Sequence, residues 1–394
     1  MKLKLTRAIG AGLMAATAGA FAGEVVSVPA PAPCEPSGDW CDALKNIGTV
    51  YKNKENPFIQ EVKFFGRVHY QWGYTDGRIN SQNFHGNGDM LRRLRFGTSV
   101  KFLNGFKATA RANFVDLPAF RNVGVDYLNF DEINLEYKFG GDILGFEDVT
   151  VGYGRYKVAF GGEEHTSSKK IKTIERSELN NRFAPARSTG AKIMADRNDI
   201  SYTLGVFSTE FDLEDFAGWS QGQAYLASME FEAGEGDVIL DFLYVDADRN
   251  EDQTFGYEWA ASATYDRDFG SFELFANATF GELHTGNEVY GVVIMPSKEL
   301  IEDKLEAVLR YQYAHSDGDR ISLNSRNTRN VARYEGVGGS NRPGDTLHSV
   351  YGGLNYFICD HNMKVMTGVE YQNLDGGLGR SEATTLWAAF RMYF

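Results

Sequence analysis

The sequence predicts an all-β fold, a transmembrane antiparallel β-barrel of about 16 strands closed around water. Three observations carry this expectation. Apolar and polar residues alternate with period two in about sixteen segments, from residue 61 to the last residue. The connections between those segments alternate between short turns and longer loops. The composition suits strands and tight turns, with 43 Gly, 28 Phe and 20 Tyr but only 9 Pro in 394 residues. Mean hydropathy is −0.35, which excludes a polytopic helical membrane protein, since that needs repeated stretches of about 20 apolar residues. A barrel escapes that test because only every second residue of its strands meets lipid. Closure is a physical requirement: in hydrocarbon each backbone N–H and C=O must be paired, so the sheet can keep no open edge.

Residues 1–22 read as a secretory signal. Lys2, Lys4 and Arg7 precede an apolar stretch, Ala8 to Ala22, that ends small-x-small at Ala20-Phe21-Ala22. Residues 23–57 read as a periplasmic leader, with Pro29, Pro31, Pro33, Pro36 and Pro57 and a short helix near Asp42 to Thr49. The barrel domain is expected over 58–394. Its strands fall near 61–74, 90–103, 105–115, 129–140, 147–159, 188–195, 199–208, 222–232, 237–246, 256–266, 270–282, 288–296, 303–314, 346–357, 361–372 and 384–394. In the first, Val62, Phe64, Val68, Tyr70 and Trp72 share one face, and Lys63, Arg67, His69 and Gln71 the other.

Short turns are expected at Asn104-Gly105, 196–198, 234–236, Asp268-Phe269 and Asp360-His361, and long loops at 75–89, 116–128, 160–187, 209–221, 315–345 and 373–383. Short turns on the periplasmic rim and long loops outside are the habit of bacterial outer-membrane barrels. A soluble sandwich would not segregate its loops this way. An even strand number puts both barrel ends on the periplasmic rim. Tyr70, Trp72, Tyr311, Tyr313 and Tyr371 lie near strand ends, where aromatic girdles sit. Sixteen strands enclose a lumen too wide for side chains to fill.

The formal charge is −13, and loss of Lys2, Lys4 and Arg7 takes the mature chain to −16, which argues against a nucleic-acid binder. Beyond the cytoplasm disulfides are permitted, and Cys34 and Cys41 are close enough in sequence for a local one, leaving Cys359 a lone thiol. The seven His are scattered without metal-ligand spacing, and no nucleophile motif or phosphate-cradling loop is present. No enzyme activity, metal or cofactor is therefore expected. The inward parity of the early strands is basic: Lys63, Arg67, Arg93, Arg95, Lys101, Lys107 and Arg111, with Glu132, Glu136 and Lys138 inward on the fourth strand. Such a wall in a narrow lumen concentrates anions, and Arg offers a planar fork to phosphate oxygens. Alternatively, inward Arg and Glu form cross-lumen ladders that support the barrel. The loop 315–345, with Arg320, Arg326, Arg329, Arg333 and Arg342, reads either as a basic vestibule or as a solvated loop that grips lipopolysaccharide.

From about residue 90 onward the chain resembles the phosphate- and polyphosphate-selective outer-membrane porin family. Three stretches carry the resemblance: Arg92-Arg93-Leu94-Arg95-Phe96-Gly97; Asp131 to Phe139; and Val151 to Gly190, with its Gly-Arg-Tyr-Lys, Phe-Gly-Gly-Glu-Glu, Thr-Ser-Ser-Lys, Glu-Arg-Ser and Phe-Ala-Pro-x-Arg pieces. The terminal Phe394, preceded by alternating apolar residues, is similar to the signal read by the barrel-assembly machinery. The resemblance implies a trimeric sixteen-stranded barrel whose third loop folds into the lumen. It also implies an anion path lined by Ser167, Ser168, Lys169, Lys170, Lys172, Arg176, Arg182 and Arg187 on that loop, with Arg92 and Arg93 on the wall. Glu163, Glu164, Glu175 and Glu178 share the loop with these bases. The implied function is passive diffusion of small anionic solutes, with phosphate or polyphosphate as the named substrates. A general porin of weak or cationic preference and a non-conducting surface barrel are the alternatives.

Overall fold

The computed structural model describes residues 40–115, 125–185, 187–210, 218–219, 222–247, 256–318, 320–323, 326–337, 343–377 and 379–394. The first 39 residues, and with them the signal and Cys34, lie outside this set. A short helix α1 (Trp40–Asn46) and a four-residue strand β1 (Thr49–Lys52) precede the barrel. Sixteen strands follow: β2 (Ile59–Ile79), β3 (Gln82–Phe102), β4 (Phe106–Asn113), β5 (Asn129–Lys138), β6 (Glu147–Lys157), β7 (Arg187–Arg197), β8 (Ile200–Ser208) and β9 (Gly222–Ala233). The second half comprises β10 (Gly236–Ala247), β11 (Tyr257–Asp268), β12 (Phe272–Leu283), β13 (Glu288–Ile301), β14 (Leu305–Ser316), β15 (Thr346–Cys359), β16 (Met363–Asp375) and β17 (Ser381–Tyr393). Each pairs antiparallel with its sequence neighbours, and β17 returns to β2, from Ser381 opposite Ile79 to Tyr393 opposite Arg67. The sheet therefore has no edge. Among the described residues no helix is long and apolar enough to cross a membrane; the crossing elements are strands.

The distribution of side chains is that of a soluble protein turned inside out. Phe64, Trp72, Phe96, Leu204, Phe242, Ile294, Leu309, Val350, Leu354 and Leu386 are exposed on the outer face. Gln71, Asp241, Thr264, Asn277, Gln312, Ser349, Glu370, Gln372 and Thr385 are buried on the inner one. The five girdle aromatics are all on the outer face. Apart from the eight-residue β5–β6 connection, turns on the rim that carries Phe394 are tight and use left-handed residues, as at Asn198-Asp199 (φ 50° and 62°), where both central residues of a hairpin turn need positive φ.

All sixteen expected strands are present, but three expectations need correction. The segment 75–89 is not a loop: β2 and β3 run on as a 21-residue ladder to a turn at Asn80-Ser81. Above the membrane such a hairpin needs no lipid-facing apolar residues, so its Gly- and Asn-rich sequence hides the pairing. The loop 315–345 is not simply solvated. Its helix α4 (Arg326–Tyr334) enters the mouth of the barrel, where Val331 and Ala332 join Ile79, Phe84, Leu374 and Ala383 in a buried apolar cluster.

The third correction concerns the cysteines. Cys41 is bonded to Cys359, 318 residues away, and not to Cys34; Cys359 is no free thiol. The reason lies at the seam. Below Phe394, whose main chain pairs with Gly66, β17 ends and β1 takes over its place beside β2, with Thr49 opposite Lys63. That strand brings α1 to the β15–β16 turn, where Lys45 also pairs with Asp360 at 2.8 Å. The later part of the leader is thus folded onto the rim.

Candidate functional site: the lumenal constriction

The segment between β6 and β7, loop 3, crosses the lumen. Its entry is set by two glycines. Gly161 has φ 81° and donates its N–H to Asp241 at 2.9 Å. A side chain on Gly162 would meet Thr264 and Phe275 of the wall at 2.6 and 2.7 Å. The Phe-Gly-Gly piece is therefore the price of close approach, and it opens the one-turn helix α2 (Gly162–His165). Glu163 then accepts the Ser177 N–H and hydroxyl, and Ser177 caps the short helix α3 (Glu178–Phe183) by accepting from the Asn180 N–H at 3.0 Å.

Between these points the chain is extended, and the wall catches it carbonyl by carbonyl. Lys364 donates to the Ile171 carbonyl at 2.7 Å, Asn355 to that of Lys172 at 2.9 Å, Arg391 to that of Ile174 at 2.7 Å and Arg310 to that of Glu175 at 2.7 Å. Donors from β14, β15, β16 and β17 thus hold one five-residue segment. Arg310 also reaches Thr173 at 3.0 Å and Glu370 at 2.9 Å. These anchors are absent from the sequence-derived site. For Arg310, Lys364 and Arg391 a basic residue at inward parity on a late strand was the signal; Asn355 carries none.

With loop 3 fixed to that side, a cavity of about 350 Å³ remains against β3–β6. Its rim carries seven guanidiniums, Arg92, Arg93, Arg95, Arg155, Arg176, Arg187 and Arg326, against three carboxylates, Asp131, Glu164 and Glu175. Two β-bulges build it. On β3 the register skips from Arg93 opposite His69 to Leu91 opposite Tyr70, so Arg92 is an extra residue and both arginines of the pair line the cavity. On β5 it skips between Glu132 and Phe130, so Asp131 turns inward beside Glu132.

Asp131 is the hub, with Arg95 at 2.9 Å, Arg187 at 2.9 Å and Arg111 at 2.6 Å. Arg111 also pairs with Glu132 at 2.7 Å. Glu175 takes Arg92 at 3.1 Å and Gln71 at 2.7 Å. Burial pushes the Glu175 carboxyl up, but the charges of Arg92 and Arg93 outweigh it and hold the group at about 2. Glu164 takes Arg176 at 2.7 Å and Lys157 at 2.8 Å. Each carboxylate is therefore committed.

The other sequence-derived residues divide by partner. Ser168 accepts from Arg67; Ser167 accepts weakly from the Lys169 N–H at 3.4 Å. Lys169 lies 4.5 Å over the Tyr393 ring, and burial followed by the charges of Arg67 and Lys63 lowers it to about 8. Lys170 is exposed. Lys172 points away from the constriction into a carboxylate socket, at 2.6 Å from Glu273 and 2.7 Å from Glu306. Arg182 pairs with Glu178 at 3.2 Å, Lys101 with Glu61 at 3.4 Å and Lys107 with Glu136 at 3.2 Å. No ion-pair partner stands beside Lys63, Arg67, Arg93, Arg326 or Arg391 among the described residues.

Residues 62–266 match the family described as phosphate-selective porin O and P. This chain belongs to that family. The porin also shares its fold with solved outer-membrane channels. They include the channel DcaP of Acinetobacter baumannii, 14% identical, covering 87% of this chain and 99% of that one with a TM-score of 0.56. An anion-selective porin from Comamonas acidovorans is 13% identical, covering 84% and 99% at 0.54, and OmpF of Salmonella typhi, in complex with daunomycin, is 12% identical, covering 87% and 100% at 0.57. No curated protein matches the porin's sequence. The porin is a channel protein of the bacterial outer membrane, and its family and fold are not those of enzymes.

Proposed function

We propose that this porin passes small anionic solutes, phosphate among them, by passive diffusion through the gap between loop 3 and the β3–β6 wall. One observation carries the reading: seven guanidiniums face three carboxylates there, and those carboxylates are already engaged. A net positive potential in a low-dielectric constriction draws anions in, and guanidinium forks fit phosphate oxygens. Single-channel recording across a KCl gradient tests it. An anion-selective reversal potential and a chloride current reduced by phosphate are expected; cation selectivity with no phosphate effect would reject it.

A second reading, a porin of weak or cationic preference, has its own support. Below loop 3 a cavity of about 300 Å³ is lined by six carboxylates, Asp268, Glu273, Glu299, Asp303, Glu306 and Asp360, against Lys172, which pairs with Glu273 and Glu306. Charge reversal at Arg93 separates the two: it inverts selectivity under the first reading and barely moves it under the second.

We also infer that residues 1–22 are cleaved, that Phe394 is read during barrel assembly, that the outer rim meets lipopolysaccharide, and that the porin is a homotrimer. For the trimer, β4 has only eight residues, fewer than the roughly 9–11 a strand needs to cross the bilayer. Its outer face carries the small Ala108, Ala110 and Ala112. A wall this low calls for a protein neighbour in place of lipid.

A further inference from the structure

Loop 7, between β14 and β15, contributes more to the channel than a cover. Its helix α4 is anchored on the paired strands β2 and β17, where Thr75 stands opposite Thr385. Asn327 donates to the Thr75 hydroxyl at 2.9 Å, and the Thr328 and Thr385 hydroxyls lie 3.1 Å apart, all four residues fully buried. The wall makes room with glycine: a side chain on Gly73 would meet Asn327 at 2.8 Å, and one on Gly86 would meet Val331 at 3.2 Å. The helix is thus seated against β2, β3 and β17. Its first residue, Arg326, consequently lines the loop 3 cavity beside Arg92 and Glu175.

Most guanidiniums there are spent. Arg92 is held by Glu175, Arg95 and Arg187 by Asp131, and Arg176 by Glu164. Arg326 and Arg93 have no carboxylate within ion-pair distance among the described residues. We propose that Arg326, delivered by α4, is a specificity-determining residue of the channel, forming with Arg93, whose guanidinium otherwise contacts the His69 ring at 3.3 Å, a pair of forks not committed to a carboxylate and able to turn to a permeating oxyanion. Loop 7 then supplies the outer half of the anion site, beside the charges that loop 3 places in the gap. This rests on the anion-channel reading above. An anion meets Arg326 first as it descends past α4 and reaches Arg93 on the wall next. A planar fork at each step favours phosphate over a spherical halide.

The test uses the full-length protein in planar bilayers, with inorganic phosphate added to a chloride current. R326Q is expected to raise the half-blocking phosphate concentration about tenfold or more, since one charged bidentate contact is lost. R326K, which keeps the charge and serves where R326Q fails to assemble, should hold the reversal potential yet weaken the block. The double variant N327A/T328V leaves Arg326 in place but loosens its helix, and should weaken the block as R326Q does. R326Q and R326K channels blocked as well as wild type, while R93Q channels are not, would overturn the role of Arg326 and leave the anion channel standing. A wild-type channel that is cation-selective and ignores phosphate would bring down the anion reading itself, and this one with it.

Discussion

Individual residues in the constriction work against one another. Glu175 is at once the carboxylate that pins loop 3 and the charge that cancels Arg92. Glu175→Gln should therefore make the channel more anion-selective, read as a larger reversal potential. It should also loosen the loop, because removing one partner of a buried pair costs about 3–5 kcal/mol. Its acid dependence follows from its sign. The folded group titrates near 2, below the ordinary carboxylate value, so its stabilising effect is present above about 4.5 and lost as pH falls toward 2. The difference in chloride conductance between wild type and Glu175→Gln should hold steady from pH 7 to about pH 4 and change only in stronger acid. Lys169 behaves oppositely. Burial and the neighbouring cations lower it to about 8, so raising the pH through 8 discharges it. Anion selectivity should show an alkaline step near that pH, and Lys169→Met should reduce the step while leaving the acid side of the pH profile intact. The inward bases were legible from parity. What parity could not give was their partners. Lys172 looks like its neighbours in sequence but is committed to Glu273 and Glu306 on a distant wall.

At the level of elements, the decisive features are departures from regularity. Strict alternation would point Arg92 and Asp131 at lipid. One bulge in β3 and one in β5 turn both inward and place the constriction's hub. A bulge adds one residue without any consistent sequence mark, so period-two reading passes over it. Loop 3 depends likewise on contacts with strands far along the chain. Gly162→Val would push it off Thr264 and Phe275. The expected result is a larger single-channel conductance with weaker phosphate block. The rim strap is a third such element. Breaking Cys41–Cys359 by Cys359→Ser should lower the midpoint of heat denaturation on gels, with a loss of about 2–5 kcal/mol. Cys34→Ser should leave it unchanged, and the reverse pattern would restore the local pairing that proximity in sequence suggests.

For the whole molecule, the barrel wall is uneven, from 21 residues in β2 and β3 to eight in β4. Under the trimer proposed above, Ala110→Arg on the low wall is expected to leave monomers in detergent, measured by light scattering, while the barrel stays closed; a wild type that is already monomeric would overturn the trimer. Closure itself, the number of strands, their order and the rim on which each turn lies could all be read from the chain. Lipid imposes its demand locally, on every second residue of every strand, so the pattern repeats along the sequence and announces the fold. The channel's interior carries no such repeat. Which cation meets which carboxylate, which carbonyls of loop 3 find donors on β14–β17, where α4 comes to rest and which cysteine reaches Cys41 depend on residues up to 318 positions apart. Those meetings exist only once the sheet has closed, because closure alone brings the first strands beside the last and gives the loops a wall to fold against.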